Sequence, residues 1–299
     1  MLILSPDQMT EEVLLLVGHK LPRRTQIGQK KKIRLVQAEF GKTPSVLCSL
    51  WNDLQTTDVI EAKVIDPNHD TLVEFLWTNY WLKSYPSEEA MESRTHWCDK
   101  TIRKRIKAMV LRIAALRATK IVWPASWNDP RTSPTFLISV DGVHCPIQEP
   151  TKNHQYSKNP KYYSHKFQRS ALAYEVGISI FTNQIVWING PFPAGTGDPD
   201  IFAMALKNQI PPGKKVVADS AYRRGAFPMV STDYFADTPA VKLFKCGARA
   251  RQESFFGRMK VYDVLNKSFR HGEDYHKIVF DACAVICQYQ IDQVPLFDV

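Results

Sequence analysis

Three carboxylic acids lie where side chains of this type could hold metal ions. Asp141 interrupts an apolar, strand-like stretch, ISVDGVH, where burying an acid is costly unless something neutralises it. Asp219 follows VVA in the strand-like stretch KKVVADSAY, at a predicted strand end where sites of open α/β sheets are found. Glu253 is the single acid of RARQESFFGRMK. Clustered carboxylates repel one another, and Mg²⁺ or Mn²⁺, which prefer oxygen ligands, would relieve that repulsion.

Helical geometry suggests how the cations around Glu253 are arranged. At about 100° per residue, Arg249, Glu253 and Lys260 align on one edge of the helix, beside an apolar packing face. Arg251 and Arg258 are predicted to point away from that edge, into solvent. Arg249 and Lys260 would then hold substrate phosphates while Glu253 binds metal. Two ions about 4 Å apart can promote cleavage of a phosphodiester.

Each acid also has a structural interpretation that the sequence leaves open. Strand-edge aspartates such as Asp141 and Asp219 are commonly turn formers or caps. A helical glutamate flanked by arginines, as Glu253 is, commonly forms a surface ion pair. The joint placement of the acids on the first strand, the fourth strand and a late helix is what favours the metal site.

The order of predicted elements gives the fold class. Helical patterns occupy the first 120 or so residues, and strand patterns begin near residue 135. We predict an α/β fold with an RNase H-like mixed sheet flanked by helices, preceded by an all-helical N-terminal region. Residues 239–244, PAVKLF, are a candidate fifth strand. The predicted segments are a helical region at 1–122, a linker at 123–134 and a catalytic domain at 135–299.

The helical region contains a possible helix-turn-helix. Residues 31–54 show two helix-length apolar patterns separated by Gly41, with Thr43 as a cap and Pro44 in the first turn of the second helix. Such a pair could bind DNA or a partner, although two ordinary core helices would give the same pattern. Residues 87–120 predict one long helix.

Excess positive charge favours polyanionic partners. The chain of 299 residues carries a net charge of +9 with a pI near 9.2, although an incidentally basic protein is an alternative. The run 20–34 contains seven cations and no acid. It could contact DNA phosphates or serve as a nuclear-import signal. The candidate phosphate ligands of this run are Lys30, Lys31, Lys32 and Arg34.

Several classes of protein are disfavoured by composition. No apolar run approaches the roughly 20 residues that a membrane span needs, and the first residues lack the pattern of a signal peptide. The six cysteines show neither zinc-type spacing nor obvious pairing, which predicts a reducing, intracellular setting. The histidines form no HExxH motif, so a zinc enzyme is not expected.

Five stretches resemble DDE transposases of the PIF/Harbinger and IS5-like group, of the DDE superfamily endonuclease type. The resemblance covers about 140–260 and implies that Asp141, Asp219 and Glu253 are the catalytic acids. The matching stretches, in family order, are VDGVHCPIQEP, YSHKFQRSALAYEVGIS, QIVWINGPFPAGTGDPDIF, VADSAYRRG and RARQESFFGRMK.

The resemblance also places other residues. Related enzymes carry a Tyr-Arg-Glu-Lys pattern, of which Arg249, Glu253 and Lys260 fit the last three places while Cys246 stands at the tyrosine place. Asp198, in GDPDIF, matches an aspartate of the family. It is either an auxiliary metal ligand or a helix N-cap.

The function implied by the resemblance is cleavage of DNA at transposon ends and strand transfer into a target by two Mg²⁺ or Mn²⁺ ions. It further implies a homo-oligomer, a separate Myb-like DNA-binding partner protein, no membrane, and a nuclear location in a eukaryotic cell or an intracellular one otherwise. Two alternatives stay open. One is a domesticated transposase-derived factor that binds DNA or protein without cutting, and the other is a nuclease for structured RNA or RNA–DNA hybrids on the same fold.

Overall fold

The computed structural model describes residues 3–18, 28–56, 69–129, 134–148 and 159–299. Its contacts divide the chain into two compact units. The first unit comprises Met1–Ala118, Val261–Val264 and Ile278–Gln293, and the second comprises Thr119–Lys260, Leu265–Lys277 and Val294–Val299. The segments 1–122, 123–134 and 135–299 stay a prediction, and residues 130–133 of the predicted linker lie outside the described residues.

Helices form the described part of the chain before residue 121, as predicted. Their apolar sides bury a core in which, for example, the rings of Trp51 and Phe75 lie 5.4 Å apart. None of the described helices is both long and apolar enough to cross a membrane. The helices are α1 (Pro6–Leu16), α2 (Gln29–Phe40), α3 (Pro44–Thr56), α4 (His69–Ser84), α5 (Glu88–Thr95), α6 (Asp99–Ala115) and α7 (Arg117–Lys120).

The two helices predicted within residues 31–54 are confirmed as α2 and α3. Helix α2 ends at Gly41, which adopts the left-handed conformation with φ 73°, a geometry that favours glycine. The Thr43 hydroxyl accepts a hydrogen bond from the Val46 N–H at 3.4 Å. Pro44 begins α3. A role of this pair in binding DNA stays a prediction.

The single long helix predicted at 87–120 is wrong, because the chain breaks after α5. His96 adopts a left-handed conformation with φ 58°, which ends the helix. The Glu92 carboxylate then accepts the Asp99 N–H at 2.7 Å, at the beginning of α6. This local bond stabilises the break, and residue-by-residue helix propensity does not include it.

A mixed sheet lies at the centre of the second unit. Strand β3 pairs with β1, β2 and β4, all antiparallel, and β1 continues through parallel pairs to β5 and then β6. Together with its flanking helices, this sheet confirms the predicted RNase H-like class. The strands are β1 (Phe136–Pro146), β2 (Tyr163–Ser164), β3 (Arg169–Ser179), β4 (Ile185–Pro193), β5 (Lys215–Val217) and β6 (Val230–Ser231).

The two faces of this sheet differ in what covers them. On one face, Ile138 and Val140 of β1 pack in an apolar cluster with Phe202 of helix α8 (Asp198–Met204). On the other face, Val217 of β5 packs against Ala248 of helix α10 (Pro239–Met259). Because strand side chains alternate, the intervening β1 positions face α10. The remaining helices are α8 (Asp198–Met204), α9 (Leu206–Gln209), α10 (Pro239–Met259), α11 (Asp263–Asn266) and α12 (Glu273–Gln293).

Residues 239–244 form the beginning of α10, so the prediction of a fifth strand there is wrong. Thr238 caps the helix by accepting the Val241 N–H at 3.4 Å, and Pro239 occupies the first turn. These are start signals of a helix. The parallel edge of the sheet is instead completed by the short strand β6, in which Val230 pairs with Val216.

Candidate functional site

The register of β1 and β5 sets Asp141 beside Asp219. The strands are parallel, with Ser139 opposite Val217. Each aspartate follows two residues later, so both come to the same level and the same face of the sheet. The Asp219 carboxylate also accepts the Ala221 N–H at 2.8 Å and caps a 3₁₀ turn. Asp219 is therefore a cap, as one of the two interpretations predicted. The cap does not remove Asp219 as a candidate metal ligand.

Gln252 anchors α10 to the sheet face that carries Asp141 and Asp219, and this positions the next residue, Glu253. Its buried amide donates to the Val176 carbonyl at 2.9 Å and accepts from the Ser139 hydroxyl at 3.0 Å. Ser139 lies two residues before Asp141 on the same strand face, and Val176 is the partner of Asp141 on β3. The next residue of the helix, Glu253, is exposed and lies over the aspartates.

The predicted outward direction of Arg251 is wrong. Its side chain is only 2% exposed, and it donates hydrogen bonds to the carbonyls of Ser179, Thr182 and Phe297. Arg258, half-buried, donates to the Val294 carbonyl at 2.7 Å. The helical wheel assumed solvent on this side of α10, whereas the β3–β4 turn and residues 294–297 cover it. Arg251 therefore links α10 to the β3–β4 turn and to Phe297 from a buried position, whereas Arg258 contacts the Val294 carbonyl nearer the surface.

The three predicted catalytic acids line one cavity of about 360 Å³. It opens between the α10 side of the sheet and α10 itself, and Arg249 and Cys246 also line it. Cys246, which stands at the tyrosine place of the pattern in the sequence analysis, thus contributes to the wall. The acids of the cavity are Asp141, Asp219 and Glu253.

The pKa of Asp141 reflects both the burial and the negative charge of this cavity. Burial raises the pKa of Asp141 to about 7, and a hydrogen bond from the Gly142 N–H at 2.7 Å opposes the rise. Neighbouring negative charges add to the rise of the pKa. The acids that contribute are Asp219, Asp198 and Glu253.

Asp198 lies next to β1, and the interpretation of Asp198 as an N-cap is wrong. It is the first residue of α8, whose N-cap is Gly197, and no side chain caps this helix. A Cβ atom at Gly142 would lie 2.5 Å from the Asp198 Oδ1 atom. Burial, and next Asp219, raise the pKa of Asp198, whereas Lys166 lowers it. Asp198 is therefore part of the acidic surroundings of Asp141.

Gly142→Ala is expected to lower the free energy of unfolding by about 1–3 kcal/mol, because the new methyl group would displace the Asp198 carboxylate or β1. Urea unfolding followed by circular dichroism measures it. Gly257→Ala on α10 is the matched control, since no atom lies within 4 Å of a Cβ atom there and alanine favours helix. Equal stabilities of the two variants would contradict the close contact.

The two cations predicted beside Glu253 differ in their surroundings. Arg249 forms an ion pair with Asp233, with 2.7 Å between its Nη1 atom and the Oδ2 atom. Lys260 is exposed at the end of α10. Arg249 is therefore shared between a protein acid and the cavity, and Lys260 is open to solvent.

The cations of the N-terminal basic run are partly described. Residues 20–27 of the run lie outside the described residues. Lys32 pairs with Glu11 at 2.6 Å, so it is engaged within the first unit. The other described cations of the run are exposed on α2, and they are Lys30, Lys31 and Arg34.

A buried acid that the sequence analysis did not select lies on the other face of the sheet. Glu175 of β3 is 1% exposed, and its Oε2 atom accepts the Trp187 Nε1–H at 2.9 Å. Its Oε1 atom has no hydrogen-bond partner among the described residues. Burial raises the pKa of Glu175 to about 8, and Asp198 adds to the rise. An acid within the apolar stretch ALAYEVGIS is the signal that selected Asp141, and it would have found Glu175.

Asp141, Asp219 and Glu253 line the same cavity, yet their carboxylates do not converge in the geometry of a metal site. Within the described part of the chain, no three His, Cys, Asp or Glu side chains form a group that could hold an ion. Asp141 and Asp219 each accept a backbone N–H instead. The donor set nevertheless consists of carboxylate oxygens, which suits Mg²⁺ or Mn²⁺ better than softer metals.

Comparison with known proteins agrees with this arrangement. Residues 140–288 match the family model described as DDE superfamily endonuclease, a stretch that contains Asp141, Asp219 and Glu253. No curated protein and no solved structure matches the chain. The narrower PIF/Harbinger or IS5-like assignment stays a prediction. The half of the chain that carries all three acids is therefore similar to the DDE superfamily endonucleases.

Proposed function

We propose that the protein is a DDE-type endonuclease that cleaves DNA phosphodiester bonds and, as a transposase, transfers the cut strands into a target. The observation that carries the proposal is the shared cavity. Acids from β1, from the end of β5 and from α10 line it, and the family match spans all three. Strand register and the Gln252 anchor support the same grouping.

The proposed cofactor is Mg²⁺ or Mn²⁺, as two ions held by Asp141, Asp219 and Glu253, with Asp198 as an auxiliary ligand. Divalent ions at this place would stabilise the negative charge that develops on phosphodiester oxygens. Burial, and after it the neighbouring acids, raise the pKa of Asp141, and a bound cation would offset both the cost of burying this carboxylate and its repulsion from the other acids. Gln252 holds Glu253 in place, and β1 and β5 hold the aspartates.

The proposed partners are DNA, as transposon ends and target, and further copies of the chain. Lys260 would contact a phosphate near the acids, because it lies at the end of the helix that carries Glu253. Arg249 lies on the same helix and would do so by leaving its ion pair with Asp233. The exposed cations of α2 would contact phosphates elsewhere or act in nuclear import. A Myb-like partner protein and a nuclear location in a eukaryotic cell belong to the same proposal.

Asp141→Asn and Glu253→Gln are each expected to lower Mg²⁺-dependent nicking of supercoiled plasmid at least ~100-fold, because each removes a ligand charge. Gel electrophoresis of nicked and closed plasmid over time gives the rate. Asp200→Asn is the control, since Asp200 is an exposed acid of α8 that does not line the cavity. It should nick like the unchanged protein.

Three outcomes would change the proposal. Equal nicking by the unchanged protein and Glu253→Gln would remove Glu253 from the site. Tight DNA binding with no nicking in Mg²⁺ or Mn²⁺ would favour the transposase-derived binding factor. Faster cleavage of RNA–DNA hybrids than of duplex DNA would favour the hybrid nuclease.

A further inference from the structure

A second cavity, of about 820 Å³, opens beside the β2–β3 hairpin of the second unit. This volume is within the range of sites that hold a small molecule or a nucleobase. Aromatic rings, amide side chains and a guanidinium share its wall. The wall residues that matter here are Gln148, Asn159, Tyr163, His165, Gln168 and Arg169.

The aromatic part of the wall is accessible. The Tyr163 side chain is 40% exposed, and its ring lies 5.2 Å from that of His165 at 88°. Exposed aromatic rings without an apolar cover are typical of surfaces on which bases stack. Arg169, opposite the end of β2, is exposed and contributes a positive charge to the wall.

The cavity lies within reach of the acids. Ile147 lines it, six residues after Asp141 along the β1 direction, which is about 20 Å at 3.3 Å per residue. The hairpin is tied to β1 by the bond between Ser164 Oγ and His144 Nδ1, at 2.7 Å.

We propose that this cavity holds an unpaired nucleobase of the DNA strand whose phosphate lies at the acids. The Tyr163 ring stacks on the base, the amides bond its edge, and Arg169 takes an adjoining phosphate. Where the nucleotides between the acids and the cavity are paired, a distance of about 20 Å corresponds to about six nucleotides of duplex rise. The inference rests on the proposed function, since it takes the bound strand to be the substrate.

An unpaired base is favoured over a paired one by the form of the site. A base within a duplex presents only its edges to a protein, because its faces stack on the neighbouring bases. Stacking on an aromatic side chain of this cavity therefore requires a base whose faces are free. Cations alone would bind any backbone, so the aromatic wall is the part that distinguishes an unpaired base. Tyr163 is therefore the residue on which the inference is tested.

The test measures binding without divalent metal. Fluorescence anisotropy in EDTA follows a labelled single-stranded oligonucleotide, a perfect duplex and the same duplex with a three-nucleotide bulge. Tyr163→Ala should weaken binding of the single strand and the bulged duplex about tenfold and leave the perfect duplex unchanged. Tyr163→Phe should restore affinity, and Arg169→Gln should weaken binding of the unpaired strands.

The control is Phe235→Ala, which removes an aromatic ring that is 84% exposed and lies outside this cavity. It should bind every oligonucleotide like the unchanged protein. A 2-aminopurine base placed in the bulge should lose fluorescence on binding, and Tyr163→Ala should abolish that loss. Binding of the unpaired strands by Tyr163→Ala as tight as that of the unchanged protein would overturn the inference.

The binding test and the nicking test separate the two proposals. Because EDTA prevents metal-dependent cleavage, the stacking result does not depend on whether the acids cut DNA. Unchanged binding by Tyr163→Ala with intact nicking would reject only the base site. Failure of nicking in the unchanged protein with Tyr163-dependent binding of unpaired bases would reject only the nuclease.

Discussion

Glu175→Gln is expected to raise the free energy of unfolding by about 2–4 kcal/mol at pH 8 and by less than about 1 kcal/mol at pH 5. Glu175 is buried and its pKa is raised to about 8, so the native state must ionise this acid in an apolar place as the pH rises. Glutamine cannot ionise, and its amide oxygen can still accept the Trp187 N–H.

The direction in which stability changes with pH follows from the number of protons that the native and the unfolded states bind. An acid with a raised native pKa holds a proton that the unfolded chain has already lost, so stability falls as the pH rises between the two pKa values. Asp141, with a pKa of about 7, acts in the same direction. His276 acts in the opposite direction, because burial lowers its pKa to about 3; the pKa of His144 is also lowered by burial.

The two acids and the two histidines act in opposite directions, and this decides the pH range in which the effect of the acids on stability can be measured. The unfolded histidines are half deprotonated at about pH 6.5, so their opposing contribution to stability is largest below that value and fades above it. Between about pH 6.5 and 8, Glu175 and Asp141 dominate, and the unchanged protein should lose stability. The difference between Glu175→Gln and the unchanged protein removes the histidine contribution at every pH.

Urea unfolding at pH 5, 6.5 and 8 measures the effect. Asp200→Asn serves as control because Asp200 is an exposed acid of the same unit, so this variant removes a carboxylate without changing the buried one. If Glu175→Gln had the same slope as the unchanged protein between pH 6.5 and 8, Glu175 would not be a buried acid of the native state.

The sheet side of the candidate site could be predicted because strand patterns are local. Asp141 and Asp219 each stand in or directly after an apolar stretch, and parallel pairing of β1 and β5 then brings them to one level. Glu253 could be chosen from its cationic surroundings and from the family resemblance. Its position over the aspartates depends on the Gln252 bonds to Ser139 and Val176, which link residues far apart in sequence.

The misjudged elements depend on contacts that sequence patterns do not contain. Residues 239–244 alternate like a strand, yet the Thr238 cap and Pro239 begin a helix there. Residues 87–120 have high helix propensity, yet His96 ends α5 in the left-handed conformation. A helical wheel predicts that Arg251 points into solvent, because the β3–β4 turn and residues 294–297, which cover its side chain, are distant in sequence.

Arg251→Met is expected to lower the free energy of unfolding by about 3 kcal/mol. Methionine fills most of the buried volume but donates no hydrogen bond, so the carbonyls of Ser179, Thr182 and Phe297 lose a charged donor. The loss is large because Arg251 is 2% exposed, and water does not readily replace the donor there. Helix α10 would also be held less firmly on the sheet.

Arg258→Met on the same helix separates this burial effect from the loss of a positive charge. Arg258 is half-buried and donates to the carbonyls of Val294 and Pro295, which water can reach once the arginine is gone, so the loss should stay within about 1 kcal/mol. Urea unfolding followed by circular dichroism compares the two variants. Because Arg251 precedes Gln252 and Glu253, a loosened α10 should also slow Mg²⁺-dependent nicking in Arg251→Met and not in Arg258→Met. Equal losses of stability in the two variants would mean that Arg251 contributes no more to the fold than a surface cation does.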